Sequence, residues 1–160
     1  MKTAIIIGAS TGIGRATALA LSGKYNSISI TSFKHKEELL SLRDELMAKG
    51  CICYCETGDA GDMEFMEKFI QNTIDHLGSD IDLLINNAGI SYVGRINDMT
   101  AQDFDRTMKS NVYSVFNSCR LVVPHMIQHH KGHIINISSV WGNVGASCEV
   151  AYSASKGAVN

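Results

Sequence analysis

The chain has a single proline, Pro124, few aromatic residues and no block of one charge sign. Lys and Arg number 14 against 16 Asp and Glu, and the net charge is −2. No basic run or stripe is present, so the electrostatic footprint needed for nucleic acid or an anionic membrane surface is missing. No apolar stretch approaches the roughly 20 residues that span a bilayer. The N-terminal apolar run, Ala4 to Ile7, is too short for a secretory signal. Repeats, low-complexity tracts and linkers are also lacking. What remains is the expectation of one soluble, cytoplasmic globular domain over residues 1–160, with 45% hydrophobic residues to build its core.

The five cysteines are an odd number, and Cys51, Cys53 and Cys55 simply alternate. Structural zinc sites use C-x₂₋₄-C pairs that close around the ion, so these residues read as small buried hydrophobes on one strand face. His125, His129, His130 and His133 span a helix end and a turn, where the helix dipole favours histidine without any ligand. No metal is expected.

Short apolar runs alternate with longer amphipathic segments. Strands are expected at 3–7, 27–31, 51–55, 81–85 and 133–137, and helices at 12–22, 36–49 and 62–77. One long helix is expected from 101 to 129, opened by an approximate Thr100–Asp103 cap and bent or interrupted near Pro124. Helical crossovers between successive strands imply a parallel α/β sheet covered on both faces.

The first strand runs into Gly8-Ala9-Ser10-Thr11-Gly12-Ile13-Gly14. Glycines at 8, 12 and 14 permit a tight turn, close approach of backbone N–H groups to a pyrophosphate, and a helix whose N-terminus favours the anion. Gly-rich turns also occur as plain connectors; the position between a strand and a helix is what raises this one. An NAD-binding fold usually carries a carboxylate at the end of strand two to hold the ribose hydroxyl. Here that segment reads Thr31-Ser32-Phe33-Lys34-His35-Lys36. Ser32 and Lys34 suit a 2′-phosphate, and the balance favours NADP(H) over NAD(H), although Lys34 and Lys36 also fit the solvated start of a helix. Strand four ends in Asn86-Asn87-Ala88-Gly89, where side-chain amides can satisfy backbone groups beside a cofactor. Strand five runs into Ser138-Ser139, at the sheet edge where open α/β folds bind ligands. Tyr152 and Lys156 stand four residues apart, on one face of a helix. A neighbouring ammonium lowers a phenol pKa by ~1–3 units, which moves tyrosine toward proton exchange near neutral pH.

Taken together, the glycine turn, Asn-Asn-Ala-Gly, Ser139 and Tyr-x-x-x-Lys resemble the short-chain dehydrogenase/reductases along the whole chain. The resemblance implies a doubly wound Rossmann fold of strand order 3-2-1-4-5 and direct hydride transfer to or from a nicotinamide. Tyr152 would be the general acid, Lys156 its activator and a nicotinamide-ribose ligand, Ser139 a hydrogen-bond donor to the substrate carbonyl, and Asn111 the holder of a relay water. Gly8, Ser10, Thr11, Gly12, Ile13, Gly14, Asn87, Ala88 and Gly89 would line the cofactor, with Asp59 and Ala60 at the adenine. Ala60 replaces a more usual valine, and Ile7 a threonine that is mainly a structural support. Within the family the chain resembles the 3-oxoacyl-acyl-carrier-protein reductases. Trp141 and Ser147-Cys148-Glu149-Val150 resemble a bacterial subgroup, the elongation factor P 5-aminopentanone reductases, which reduce a ketone on a modified lysine of that factor. Glu149 would then attract an amine-bearing substrate, or is an ordinary solvated carboxylate. A noncatalytic dinucleotide-binding regulator is the alternative of another class, disfavoured by the intact Ser139, Tyr152 and Lys156. The resemblance also implies homo-oligomers for full-length members. A further expectation is that the C-terminal strands and substrate-covering loop of the family are missing, so that turnover by 160 residues alone is not expected.

Overall fold

The computed structural model describes residues 2–78 and 80–160. Five strands, β1 (Thr3–Ile7), β2 (Ser27–Ser32), β3 (Ile52–Thr57), β4 (Ile81–Asn86) and β5 (His133–Asn136), form one sheet in the order β3-β2-β1-β4-β5. Every pairing is parallel. β1 lies at the centre because Thr-Ala-Ile-Ile-Ile is apolar on both faces, as a strand covered twice must be.

Alternation along β1 sorts the core into two layers. Ala4 and Ile6 pack with Ala18 of α1 (Gly12–Leu21) and with Leu39, Leu42 and Leu46 of α2 (Lys36–Ala48). Ile5 and Ile7 pack on the other face with Met66, Phe69 and Ile70 of α3 (Met63–Leu77) and with Val122 and Met126 of α5 (Ser114–Gln128). Cys51, Cys53 and Cys55 all join the α1/α2 layer, as their spacing implies. Burial pushes the Cys53 thiol up to about 12, so it behaves as a small apolar group. The second layer holds an internal polar pair, Ser29 and Thr73, whose hydroxyls bond each other at 2.7 Å. Thr73 also donates to the Phe69 carbonyl, which leaves the buried pair satisfied.

Strand ends follow their neighbours rather than local propensity. β2 and β3 run on to Ser32 and Thr57 because those two residues are register partners, and β4 reaches Asn86 opposite Ile7. β3 begins at Ile52, one residue later than the alternating cysteines imply, and β5 stops at Asn136.

The expected single helix over 101–129 is divided. α4 (Ala101–Met108) leads into a π segment, Lys109–Tyr113, and then into α5. The Thr100–Asp103 cap is a complete capping box: Asp103 N–H donates to Thr100 Oγ1 at 3.1 Å, and Thr100 N–H donates to Asp103 Oδ2 at 3.3 Å. The Thr100 hydroxyl holds the Asp103 carboxyl below its usual range. Thr100→Ala is therefore expected to raise the Asp103 titration midpoint toward the ordinary aspartate value, read by carboxyl NMR. An unchanged midpoint would show that the box does not form in solution. Of the bend or interruption expected at Pro124, the interruption does not occur, since Pro124 lies inside α5. The carbonyl that loses its partner belongs to Arg120, and both residues are exposed, so water can take up the acceptor. The last helix is α6 (Val150–Val159), which packs against a short 3₁₀ turn at Val140–Gly142.

Candidate active site

The glycine turn joins β1 to α1. Gly8 has φ +84°, and a Cβ there would meet the Ala88 backbone at 2.7 Å. A Cβ on Gly14 would lie 2.1 Å from the Gly8 carbonyl oxygen and 2.7 Å from Asn87 Nδ2. Asn87 locks this contact by donating from Nδ2 to the Gly8 carbonyl at 2.7 Å. Thr11, at the N-cap of α1, is extended and its side chain caps nothing, so the helix presents free N–H groups at the turn. A compact glycine turn beside an uncapped helix N-terminus is a seat for a phosphate.

A groove runs from this turn in both directions. Its larger part, roughly 480 Å³, is lined by nine of the residues expected to hold cofactor: Gly8, Ser10, Thr11, Ser32, Lys34, Asp59, Asn87, Ala88 and Gly89. A second part, roughly 450 Å³, is lined by Ile13, Ser139, Tyr152 and Lys156, with Trp141 and Glu149 beside them. Asn87, Gly89, Ile90 and Ser91 belong to both, which makes the two parts one groove. Ala60 lines a small recess beside the first part, while Gly14 packs against Gly8 within the turn and Gly12 supplies its positive φ of +56°.

The charges at the first end are mostly positive. Lys34, Arg106 and Lys109 line it against one carboxylate, Asp59. Asp59 is itself engaged, accepting from Gly61 N–H at 2.9 Å and facing Lys109 Nζ at 3.0 Å. Ser32 is buried, and its hydroxyl donates to the Lys34 carbonyl at 2.5 Å. Arg106 and Lys109 carry no local sequence signal, because they stand on an ordinary polar helix face nearly 100 residues from the glycine turn.

At the other end Lys156 is only 5% exposed. Its Nζ donates to the Ile137 carbonyl at 2.7 Å and lies 5.7 Å from the centroid of the Tyr152 ring. Ser139 Oγ accepts from Trp141 N–H at 3.2 Å, which leaves the hydroxyl proton free to donate. Asn111, fully buried in the π segment, accepts from Ile90 N–H at 2.7 Å and donates to the Ile90 carbonyl and to Ser155 Oγ, each at 2.9 Å. Both of its N–H bonds are thus spent in bracing β4's following loop against α6. Ser155 passes the brace on, donating to the Tyr152 carbonyl at 2.7 Å. The wider ladder of a π segment turns Asn111 inward, and such segments are frequent at functional sites.

Burial lowers the Lys156 ammonium from its ordinary value. The unfolded chain therefore holds this proton more readily than the fold, and stability rises with pH between the folded and unfolded values. Compared with Lys156→Met by urea unfolding, the wild-type protein is expected to gain stability as pH rises from the lowered folded value toward the ordinary lysine value. A pH-independent difference between the two would contradict this.

Glycine turn, Asn-Asn-Ala-Gly bend, inward asparagine, serine and Tyr-x-x-x-Lys face one groove on a 3-2-1-4-5 sheet, and residues 2–160 match the short chain dehydrogenase family. The chain belongs to this family. It is 33% identical over 158 residues to a 3-oxoacyl-[acyl-carrier-protein] reductase of Staphylococcus aureus, covering 99% of this chain and 64% of that protein. It is 34% identical over 159 residues to an NADPH-dependent pterin aldehyde reductase of Arabidopsis thaliana, with coverage of 99% and 64%. A solved structure of the F189W variant of actinorhodin polyketide ketoreductase with NADPH superposes with a TM-score of 0.92 at 26% identity, over 99% of this chain and 60% of that one. The chain thus spans a little under two thirds of the length of the relatives it matches. No helix among the described residues is long and apolar enough to cross a membrane.

Proposed function

We propose that the protein is an NADPH-dependent carbonyl reductase. The observation that carries this reading is the continuity of the groove from the glycine turn to Ser139, Tyr152 and Lys156. A nicotinamide dinucleotide fits these residues: a backbone cradle that a Cβ would fill, an uncapped helix start, and a cationic far end. When bound, the cofactor supplies a hydride for the carbonyl carbon. Ser139 donates a hydrogen bond to the carbonyl oxygen, and Tyr152 gives that oxygen its proton. The Lys156 charge, held near the ring by Ile137, stabilises the phenolate left behind. Asn111 and Ser155 fix the helix that carries Tyr152. The end of β2, Ser32-Phe33-Lys34, carries a hydroxyl and a cation and no carboxylate of its own, which supports NADPH over NADH.

For the substrate, we read a ketone carried on a protein, the 5-aminopentanone-modified lysine of elongation factor P. Glu149 supports this, since it lines the Tyr152 end of the groove and is held there by Ser91 Oγ, which donates to Oε1 at 2.8 Å. A fixed carboxylate at the entrance favours a cationic amine. The similarity to 3-oxoacyl-[acyl-carrier-protein] reductases supports the alternative, a 3-oxoacyl thioester. Assaying loss of NADPH absorbance with each substrate separates the two. The expected result is faster reduction of the aminopentanone, with Glu149→Gln lowering kcat/KM about tenfold for it and hardly at all for acetoacetyl thioester. Reduction of the thioester alone would reject the elongation factor reading.

A further inference from the structure

Lys109 lies outside every motif that points to the groove, yet it reaches the strand ends where the adenosine half of a dinucleotide would lie. Gly58 N–H donates to the Ser32 carbonyl at 2.9 Å, so Asp59 follows directly on the strand end beside Ser32 and Lys34. Among the described residues Asp59 is the sole carboxylate lining this part of the groove. Its orientation is fixed by Gly61 N–H and by Lys109 Nζ, at 2.9 and 3.0 Å. The Lys109 stem leaves no room beyond it, since a Cβ on Gly61 would fall 2.6 Å from Lys109 Cγ. Lys109 is the first residue of the π segment that holds the buried Asn111.

We infer that Lys109 is a specificity-determining residue: by neutralising Asp59 it keeps the adenosine end of the groove permissive for a 2′-phosphorylated dinucleotide. The inference rests on the NADPH reading above and adds a residue to it. An unpaired Asp59 carboxylate would repel a phosphate that carries about −1.5 to −2 charges and would leave an uncharged ribose hydroxyl almost unaffected. Lys109→Met therefore changes the two cofactors unequally. Its direction is also reversible, because Asp59→Asn removes the charge that Lys109 masks.

The test is equilibrium binding of NADPH and NADH, followed by nicotinamide fluorescence without any substrate. Lys109→Met is expected to raise the NADPH Kd about tenfold while changing the NADH Kd less than about twofold. Lys109→Met with Asp59→Asn is expected to recover most of the lost NADPH affinity, and Lys109→Arg to retain the wild-type preference. Equal weakening of both cofactors by Lys109→Met, no weakening of either, or failure of Asp59→Asn to restore NADPH would each overturn the inference. Equal wild-type affinities for NADH and NADPH would overturn the NADPH reading itself, and this inference with it, before any variant is made.

Discussion

Replacing Tyr152 by Phe is expected to lower kcat for carbonyl reduction by at least about 10³-fold while the NADPH Kd changes less than about twofold. The two effects separate because the phenol hydroxyl has no hydrogen-bond partner among the described residues, whereas its ring packs beside Lys156. Phe keeps the ring and removes only the proton donor. The unfolding midpoint should stay where it is, which distinguishes a chemical defect from a folding defect. Single-turnover kinetics with saturating NADPH make the measurement, and turnover retained within tenfold would mean that another group supplies the proton. Ser139 could not easily substitute, since its alcohol is a far weaker acid than a phenol.

The second large effect is expected at Gly14. Helix propensity alone would make Gly14→Ala stabilising by up to about 1 kcal/mol, since the residue lies inside α1. Packing reverses the sign. The new Cβ would stand 2.1 Å from the Gly8 carbonyl oxygen, a backbone atom that is itself bonded to Asn87. Relief requires α1 to move away from β1, at a cost of about 1–3 kcal/mol typical of overpacking. The same movement would open the phosphate seat, so cofactor affinity should fall by about 10²-fold or more. Chemical denaturation and NADPH titration check the two parts. A variant as stable as wild type with unchanged affinity would show that the close approach at Gly14 is not needed. Gly12 offers the internal control, because a Cβ there meets nothing within 4 Å and only its φ of +56° resists substitution.

Much of this is legible in the chain itself. Alternating strand and helix patterns place five parallel strands correctly, since periods of two and 3.6 residues are properties of the local chain. The cradle residues are legible for a related reason: close backbone approach needs glycine, and Gly8 and Gly14 stand at the strand–helix junction where that approach occurs. Tyr152 and Lys156 share a face by helical spacing alone. Long-range partners were not legible. Nothing near Asn111 in the chain announces that both its N–H bonds are taken by Ile90 and Ser155, which lie 21 and 44 residues away. The π segment likewise has no local signature, so the helix over 101–129 reads as one helix with its only disturbance near Pro124, and the division at Lys109–Tyr113 goes unseen.

The sequence by itself determined the family, the order of the elements and the identities of the groups that can cradle a phosphate and move a proton. It did so because glycine, tyrosine, lysine and serine each carry that chemistry in their own atoms. Only the tertiary structure decided which of these groups share a space. It joined the two parts of the groove through Asn87 and Gly89, buried Lys156 against Ile137, and set Lys109 against Asp59, 50 residues earlier in the chain. Those outcomes depend on how a parallel sheet gathers the carboxyl ends of distant strands at one edge, and that gathering exists only once the chain has folded.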